Sequence, residues 1–378
     1  MTPIRVDERV RSERASGPRL CNRCHPVGAS RVRFGLAGLG RIGRLHADNI
    51  RRIPSVELVR IVDASETVAR AFGEEVGVEW STAYQDLLDD VAVDAVVVAT
   101  PTALHVSMIE AAAAAGKHVF CEKPISVDRE SSARAVELAR STGIKLQVGF
   151  HRRYHPDWRA ATERIRSGEL GDVYFFRTSL RDMRPPSLEY LRGSGGLFVD
   201  VTIHDLDAAR WMVGEIDEVT AIGAALSTPA FAETGDADNA IVTLRFAGGA
   251  LGAIDNSRVA GYGYECSTEV VGSKATVRIA HHRRFNNEWL TPGSVSADWV
   301  ADFGERFGQA YLLELEDFAA AVSEDRPCSV TGDDALSAFV LAEACERSFR
   351  EGRPVRLQRE QTETGVIYGL AEAASQAA

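Results

Sequence analysis

The chain has 378 residues, 45% of them hydrophobic and 26% charged, with 43 Lys and Arg against 54 Asp and Glu for a net charge of −11. That length accommodates two domains of ordinary size. The acidity argues against a nucleic-acid partner, whose phosphates demand a basic surface, and no apolar run reaches the roughly 18–20 residues of a membrane span.

Residues 1–31 read as a mobile arginine-rich arm. The first 33 residues carry eight arginines and three acids, with no regular apolar period. They lack the apolar core of a secretory signal, so a cytoplasmic protein is expected. Cys21-Asn-Arg-Cys24-His25 matches a haem-attachment pattern on paper. The missing export signal argues against haem, and zinc would need a second ligand pair, so no metal is expected. Cys121, Cys266, Cys328 and Cys345 are widely spaced, as reduced thiols are.

From 32 to 150, strand and helix alternate. Strands are predicted over Val32–Ala37, Val56–Val62, Ala95–Ala99, Lys117–Cys121 and Lys145–Gly149. Several are continuous apolar runs, as in a parallel sheet covered on both faces. Helices are predicted over Ile42–Arg52, Thr67–Phe72, Tyr84–Leu88, Leu104–Ala115 and Ser131–Ser141, the last with Ser126 and Asp128 as capping candidates. This alternation indicates a doubly wound α/β domain of the Rossmann kind.

The first strand empties into Gly38-Leu39-Gly40-Arg41-Ile42-Gly43, a G-x-G-x-x-G turn, and Asp63 follows twenty residues after Gly43. Gly38 permits the tight turn, Gly40 lets the backbone approach a pyrophosphate, and Gly43 allows close helix packing. The helix N-terminus offers free N–H donors to the phosphates. Asp63 is suited to the ribose hydroxyls and repels a 2′-phosphate, which favours NAD over NADP. The plainer alternative is an ordinary strand-to-helix turn with Asp63 capping the helix near Ser65.

Two more segments fall at strand carboxyl ends. Thr100-Pro101-Thr102, ending at His105, either faces the cofactor crevice or forms a proline turn with Thr102 as a helix cap. In Cys121-Glu122-Lys123-Pro124, Lys123 either points into the crevice, where it would stabilise an alkoxide, or lies on the surface. The bond before Pro124 is a candidate for cis geometry.

Beyond 150 the texture changes. A helix is expected over Pro156–Ser167, a strand over Val173–Ser179, and a polar, proline-bearing segment over Arg181–Tyr190 leading to Gly193-Ser-Gly-Gly196. A helix over Val201–Met212 follows. Alternating segments Val219–Ala225, Asn239–Phe246, Ala250–Ser257, Cys266–Val271 and Lys274–Ala280 suggest an open, mostly antiparallel sheet. Helices over Ala310–Ser323 and Asp333–Arg350 close a second domain spanning 151–350. Residues 351–378 are expected to be a partly frayed C-terminal segment.

Asp200 and His204 are four residues apart, which on a helix puts both on one face. The imidazole would take a hydroxyl proton while the carboxylate orients it and raises its proton affinity. A structural histidine with Asp200 as a cap fits the spacing equally well. Asp205 and Asp207 point to different helix faces, so one ion site is disfavoured. A cap, a buried salt bridge or an interdomain contact fits them better.

The order of these motifs resembles the glucose–fructose oxidoreductase/inositol dehydrogenase family over roughly 32–350. Gly149-Phe-His-Arg-Arg-Tyr154, Ser194–Arg210, Asp255-Asn-Ser-Arg258 and Gly261-Tyr-Gly-Tyr264 are similar to its bacterial myo-inositol 2-dehydrogenases. The resemblance implies catalytic roles for Lys123, Asp200 and His204, and a substrate pocket near Arg152, Arg153 and Tyr264. It implies an N-terminal Rossmann domain, a C-terminal α/β domain and a homotetramer. The cofactor would be NAD, bound by Gly38 to Gly43, Asp63, Thr100, Pro101, His105, Glu122 and Lys123. The implied reaction is oxidation of a polyol, myo-inositol, to the 2-keto product. Another sugar or inositol derivative, or a non-catalytic NAD sensor, remains as an alternative. His151 and His155 depart from the pattern by adding imidazoles near the pocket edge.

Overall fold

In the computed structural model, which describes residues 31–280, 283–285, 287–362 and 365–371, the alternating half forms one parallel sheet. Its strands are β1 (Val32–Ala37), β2 (Val56–Val62), β3 (Glu79–Ser81), β4 (Ala95–Val98), β5 (His118–Cys121) and β6 (Leu146–Val148), in the order β3-β2-β1-β4-β5-β6. β1 and β2 keep their predicted bounds, the next two predicted strands each lose one residue at one end, and the last loses one at both. β3 lies outside the expected strands, because three residues are too few to show a period. All four residues of β4 are buried, as befits a strand covered on both faces. The order reverses between β1 and β4, and the crevice at their carboxyl ends is where such sheets bind ligands.

The second sheet has eight strands: β7 (Val173–Arg181), β8 (Ile216–Ala224), β9 (Asn239–Phe246), β10 (Leu251–Ser257), β11 (Glu265–Gly272), β12 (Thr276–Ile279), β15 (Val355–Thr362) and β16 (Gly365–Leu370). The short strands β13 (Trp289–Thr291) and β14 (Ser294–Ser296) pair only with each other. The sheet order is β12-β11-β7-β10-β9-β8-β15-β16. β7 and β10 are parallel and the other neighbours antiparallel. In β9, Ala240, Val242, Leu244 and Phe246 are buried while Ile241, Thr243 and Arg245 face out, the alternation of a one-sided sheet.

Two expectations are corrected here. The segment after 350 carries two strands that the expected elements do not include: β15 and β16 complete the sheet, and Val355, Leu357 and Tyr368 are buried. Residues 372–378 lie outside the described residues, as do residues 1–30 with Cys21 and Cys24. The second correction concerns the Phe303–Ser323 helix, which begins seven residues before its predicted start. It packs back on the first sheet through Leu315, Phe318 and Ala319, with Phe318 5.6 Å from Phe34 and 5.9 Å from Phe120, ring to ring. A parallel sheet needs apolar cover on each face, and here the later half of the chain supplies part of it.

Local signals explain the helix ends. Asp128 accepts from the Ser131 N–H, as expected of a cap. Thr331 and Asp334 form a reciprocal capping box at the start of the Gly332–Glu351 helix. Thr102 is not a cap; it opens a single 3-10 turn, Thr102–Leu104, with Pro101 at the capping position.

Candidate active site

The glycine turn is built as its spacing demands. Gly38 has φ +93°, and a Cβ there would sit 2.6 Å from the Ala99 carbonyl oxygen. A Cβ on Gly43 would lie 1.9 Å from the Gly38 carbonyl oxygen. Gly40 differs, since a Cβ on it would meet nothing within 4 Å. It stands at the start of the Arg41–Ile50 helix, whose first N–H groups have no side-chain cap. The space above Gly40 and those free donors suit a pyrophosphate. Leu39 is buried and its N–H donates to Asp63 Oδ2 at 2.8 Å, while the Ser65 N–H donates to Oδ1 at 2.9 Å. Asp63 therefore ties the end of β2 to the turn. Ile42 packs into the core, and the Arg41 guanidinium lies 4.3 Å over the Phe303 ring.

At the end of β4, Thr100 and Pro101 border the crevice, but His105 is buried behind them. Its ring nitrogens lie 2.9 Å from the Pro124 carbonyl and 2.8 Å from the Thr100 carbonyl. A neutral ring donates to only one of these carbonyls at a time, but its burial between the Thr100 and Pro124 turns argues against the cofactor contact expected from the sequence. Glu122 is likewise turned inward, 2.6 Å from His46 Nε2. Beneath it is Glu314, fully buried with neither carboxylate oxygen bonded among the described residues. Burial first, and the Glu122 charge second, push the Glu314 carboxyl well above its usual range. His46, Glu122 and Glu314 bring their ligand atoms within 4.8 Å of one another.

The Lys123-Pro124 bond is cis. Lys123 Nζ points into the crevice and donates to the Asp200 carbonyl oxygen at 2.7 Å and to Asp200 Oδ1 at 3.1 Å. Asp200 also accepts from Tyr190 Oη at 2.9 Å and from Arg258 Nη1 at 2.9 Å. Burial alone would raise the Asp200 carboxyl, but Lys123 and then Arg258 outweigh it and hold it at about 2. Asp182, on the polar segment after β7, feels Arg258, Asp200, Arg41 and Lys123, and burial pushes it up to about 6.

The spacing of Asp200 and His204 misleads. Residues Phe198–Thr202 form a π-helical turn before the Ile203–Val213 helix. Among the described residues the Asp200 carboxylate bonds to Lys123, Tyr190 and Arg258, not to His204. His204 Nδ1 is buried without a partner. Burial, then Lys123, His151 and Arg152, hold the imidazole well below its ordinary range, the opposite of the increase expected from a neighbouring carboxylate.

Comparison with known proteins fits this geometry. Residues 32–150 match the oxidoreductase family's NAD-binding Rossmann fold, and residues 162–357 match that family's C-terminal alpha/beta domain. The chain belongs to the Gfo/Idh/MocA oxidoreductase family. It is 40% identical over 333 residues to the myo-inositol 2-dehydrogenase of Thermotoga maritima, covering 86% of this chain and 99% of that protein. It is 37% identical over 338 residues to the scyllo-inositol 2-dehydrogenase (NAD(+)) of Bacillus subtilis, covering 89% and 99%. Among solved structures, scyllo-inositol dehydrogenase from Lactobacillus casei with bound NAD(H) and scyllo-inositol superposes with a TM-score of 0.82 at 29% identity, covering 86% of this chain and 99% of that one.

As a Gfo/Idh/MocA oxidoreductase the protein is an NAD-dependent dehydrogenase, and the open cradle over Gly40 fits the cofactor. Asp63→Ala is expected to lower kcat/KM for NAD by roughly 10- to 100-fold, the worth of a hydrogen bond to a charged group. NADP should lose less. Steady-state rates with both cofactors check this, and an unmoved ratio excludes Asp63 as the ribose ligand.

The remaining expected site residues are placed differently. Arg152 is 2% exposed and bonds Asp205 at 2.5 Å. Arg153 bonds Asp207 at 2.6 Å and Asp334 at 3.1 Å. Asp205 and Asp207 are thus buried salt-bridge partners, one of the roles foreseen for them. Arg153 is committed to this network, which argues against a direct substrate contact. Tyr264 is buried, with its ring 6.3 Å from that of Phe307. Sequence reasoning missed Asp182, Tyr190 and Arg258 as site residues. Arg258 lay in a quoted segment without a role, and only the unusual polarity of Arg181–Tyr190 pointed to the other two.

Proposed function

We propose that this dehydrogenase oxidises a cyclic polyol, myo-inositol, at C2 to the 2-keto product, in the cytoplasm and as a homotetramer. The observation that carries the reading is the Lys123–Asp200 pair at the crevice mouth, with His204 close enough to feel the Lys123 charge. Bound NAD supplies a hydride acceptor. Lys123 binds the alcohol oxygen and stabilises its developing negative charge. Asp200 holds Lys123 in place and offers its remaining lone pairs to substrate hydroxyls. His204, kept neutral by burial, takes the hydroxyl proton. Asp182, Tyr190 and Arg258 add acceptors and donors matched to a ring of hydroxyl groups. The relatives named for myo- and scyllo-inositol support a cyclohexane polyol over an open-chain sugar. Ile222 and Ile241, cross-strand partners on the outer face of the second sheet, stand exposed with Leu251 and supply an apolar surface for self-association.

The test is a panel of myo-inositol, scyllo-inositol, amino-inositols and aldoses followed by NADH absorbance. Highest kcat/KM on myo-inositol supports the proposal. Preference for an aldose overturns it, and tight NADH binding with no turnover on any member makes the protein a sensor. The pH profile is a second check. A base must be neutral to accept a proton, and His204 is held well below the ordinary 6.5 of histidine. The acid limb of kcat/KM should therefore lie below that value. A limb centred above about pH 7 would remove His204 as the base.

A further inference from the structure

Immediately after β6 the chain makes a single turn, His151–Tyr154, that buries His151 under the crevice and not at its edge. Its ring stacks on Tyr311 at 4.6 Å, meets Phe307 edge-on at 4.5 Å and lies 5.0 Å from the ring of His204. Phe150 packs on His204 at 6.0 Å. Two polar atoms are left over in this apolar setting, Nε2 of His151 and Nδ1 of His204, both buried and without a partner among the described residues. Each such atom costs about 1–3 kcal/mol, and native structures rarely leave two side by side. Two imidazoles bridged by an N–H···N bond of about 3 Å have centroids about 5 Å apart, the spacing found here. The bond is not formed in the structure and requires rotation about the terminal histidine torsions, which are broad.

A neutral histidine that accepts a proton at Nε2 must carry its hydrogen on Nδ1, and an acceptor beside Nδ1 decides that tautomer. Asp200 does not serve, because its carboxylate faces Lys123, Tyr190 and Arg258. The charged and titratable groups acting on His204 are Lys123 from the turn after β5 and His151 and Arg152 from the turn after β6. Those acting on His151 are Arg152, Lys123, His155 and His46, with Tyr311 stacked against it from the Phe303–Ser323 helix. No carboxylate is among the groups acting on His204.

We propose that His151 is the positioning residue for His204. Neutral, with its own hydrogen on Nδ1, it accepts the His204 Nδ1–H at its Nε2 and leaves the His204 Nε2 lone pair for the alcohol proton. When that proton arrives, the Nδ1–H···Nε2 bond strengthens and spreads the positive charge over both rings. This inference rests on the reading of His204 as the base.

The test reads the tautomer directly, from long-range proton–nitrogen spectra of 15N-labelled protein saturated with NAD. Wild type should show His204 protonated on Nδ1. His151→Leu, or His151→Phe where leucine packs poorly, should lose that preference. The same variants should lose roughly 10- to 100-fold in kcat/KM, with the Kd for NAD unchanged. His151→Asn, whose amide oxygen can accept the same hydrogen, should restore both tautomer and most of the rate. An unchanged His204 tautomer in a folded His151→Leu or His151→Phe protein overturns the inference. A tautomer that shifts without any loss of rate supports the His151–His204 bond and removes His204 from catalysis.

Discussion

Replacing Lys123 by alanine is expected to lower kcat by roughly 10²–10³-fold, the worth of one preorganised donor at a developing oxyanion. The Kd for NAD should stay within about threefold, because the glycine turn and Asp63, the proposed holders of the other end of the cofactor, are untouched. The side chain is 15% exposed and has two oxygens of one residue as partners, so it is preorganised before substrate arrives. Its removal takes away the cation proposed to meet the alkoxide and also the largest charge holding Asp200 near 2. Arg258 and Tyr190 remain, so the carboxylate keeps partners and the fold survives. Lys123→Arg should recover little, since a planar fork cannot reproduce a compact ammonium between a carbonyl and a carboxylate oxygen. Steady-state turnover with a separate NAD titration checks this. A kcat within about tenfold of wild type removes Lys123 from the chemistry.

The legibility of this site followed the range of the interactions. Gly38, Gly40, Gly43 and Asp63 were readable because a turn and one strand end fix their geometry, and β4 because burial on both faces writes a continuous apolar run. Lys123 and Asp200 could be nominated singly, but no spacing states that residues 77 apart meet at 2.7 Å. The Asp200 carboxylate, on a π-helical turn, is taken up by Lys123, Tyr190 and Arg258 and not by His204, and no local spacing foretells those partners. Nothing in Phe198-Val-Asp-Val-Thr202 announces that turn. Val355 and Leu357 did alternate with polar neighbours, yet without sight of β8 the short pattern read as a tail. The Phe303–Ser323 helix shows the same limit at larger scale: its apolar stripe was visible, its destination on the first sheet was not.

Asp205→Ala is expected to be the most destabilising substitution near the site, at about 3–5 kcal/mol, because it strands a buried cation. Against a total stability of about 5–15 kcal/mol this is a large share, and Tm should fall by on the order of 10 °C. Asp205 is 0% exposed and accepts from Arg152 at 2.5 Å, Asn256 at 2.8 Å and Thr178 at 3.2 Å. Asn256 in turn accepts from Thr202 Oγ1 at 2.7 Å, within the π-turn that carries Asp200. Burial would lower the Arg152 guanidinium, yet Asp205 keeps it raised, so the pair survives only as a pair. The double variant Arg152→Met/Asp205→Leu removes both charges and should regain most of the lost Tm, since a well-packed apolar pair can match a buried ion pair. That variant also separates the two roles open to Arg152. Recovery of Tm together with KM makes Arg152 a brace beneath the crevice, whereas recovery of Tm alone makes it a substrate ligand whose carboxylate partner keeps it aimed. A single Asp205→Ala protein melting within about 2 °C of wild type would show that the network carries no such load.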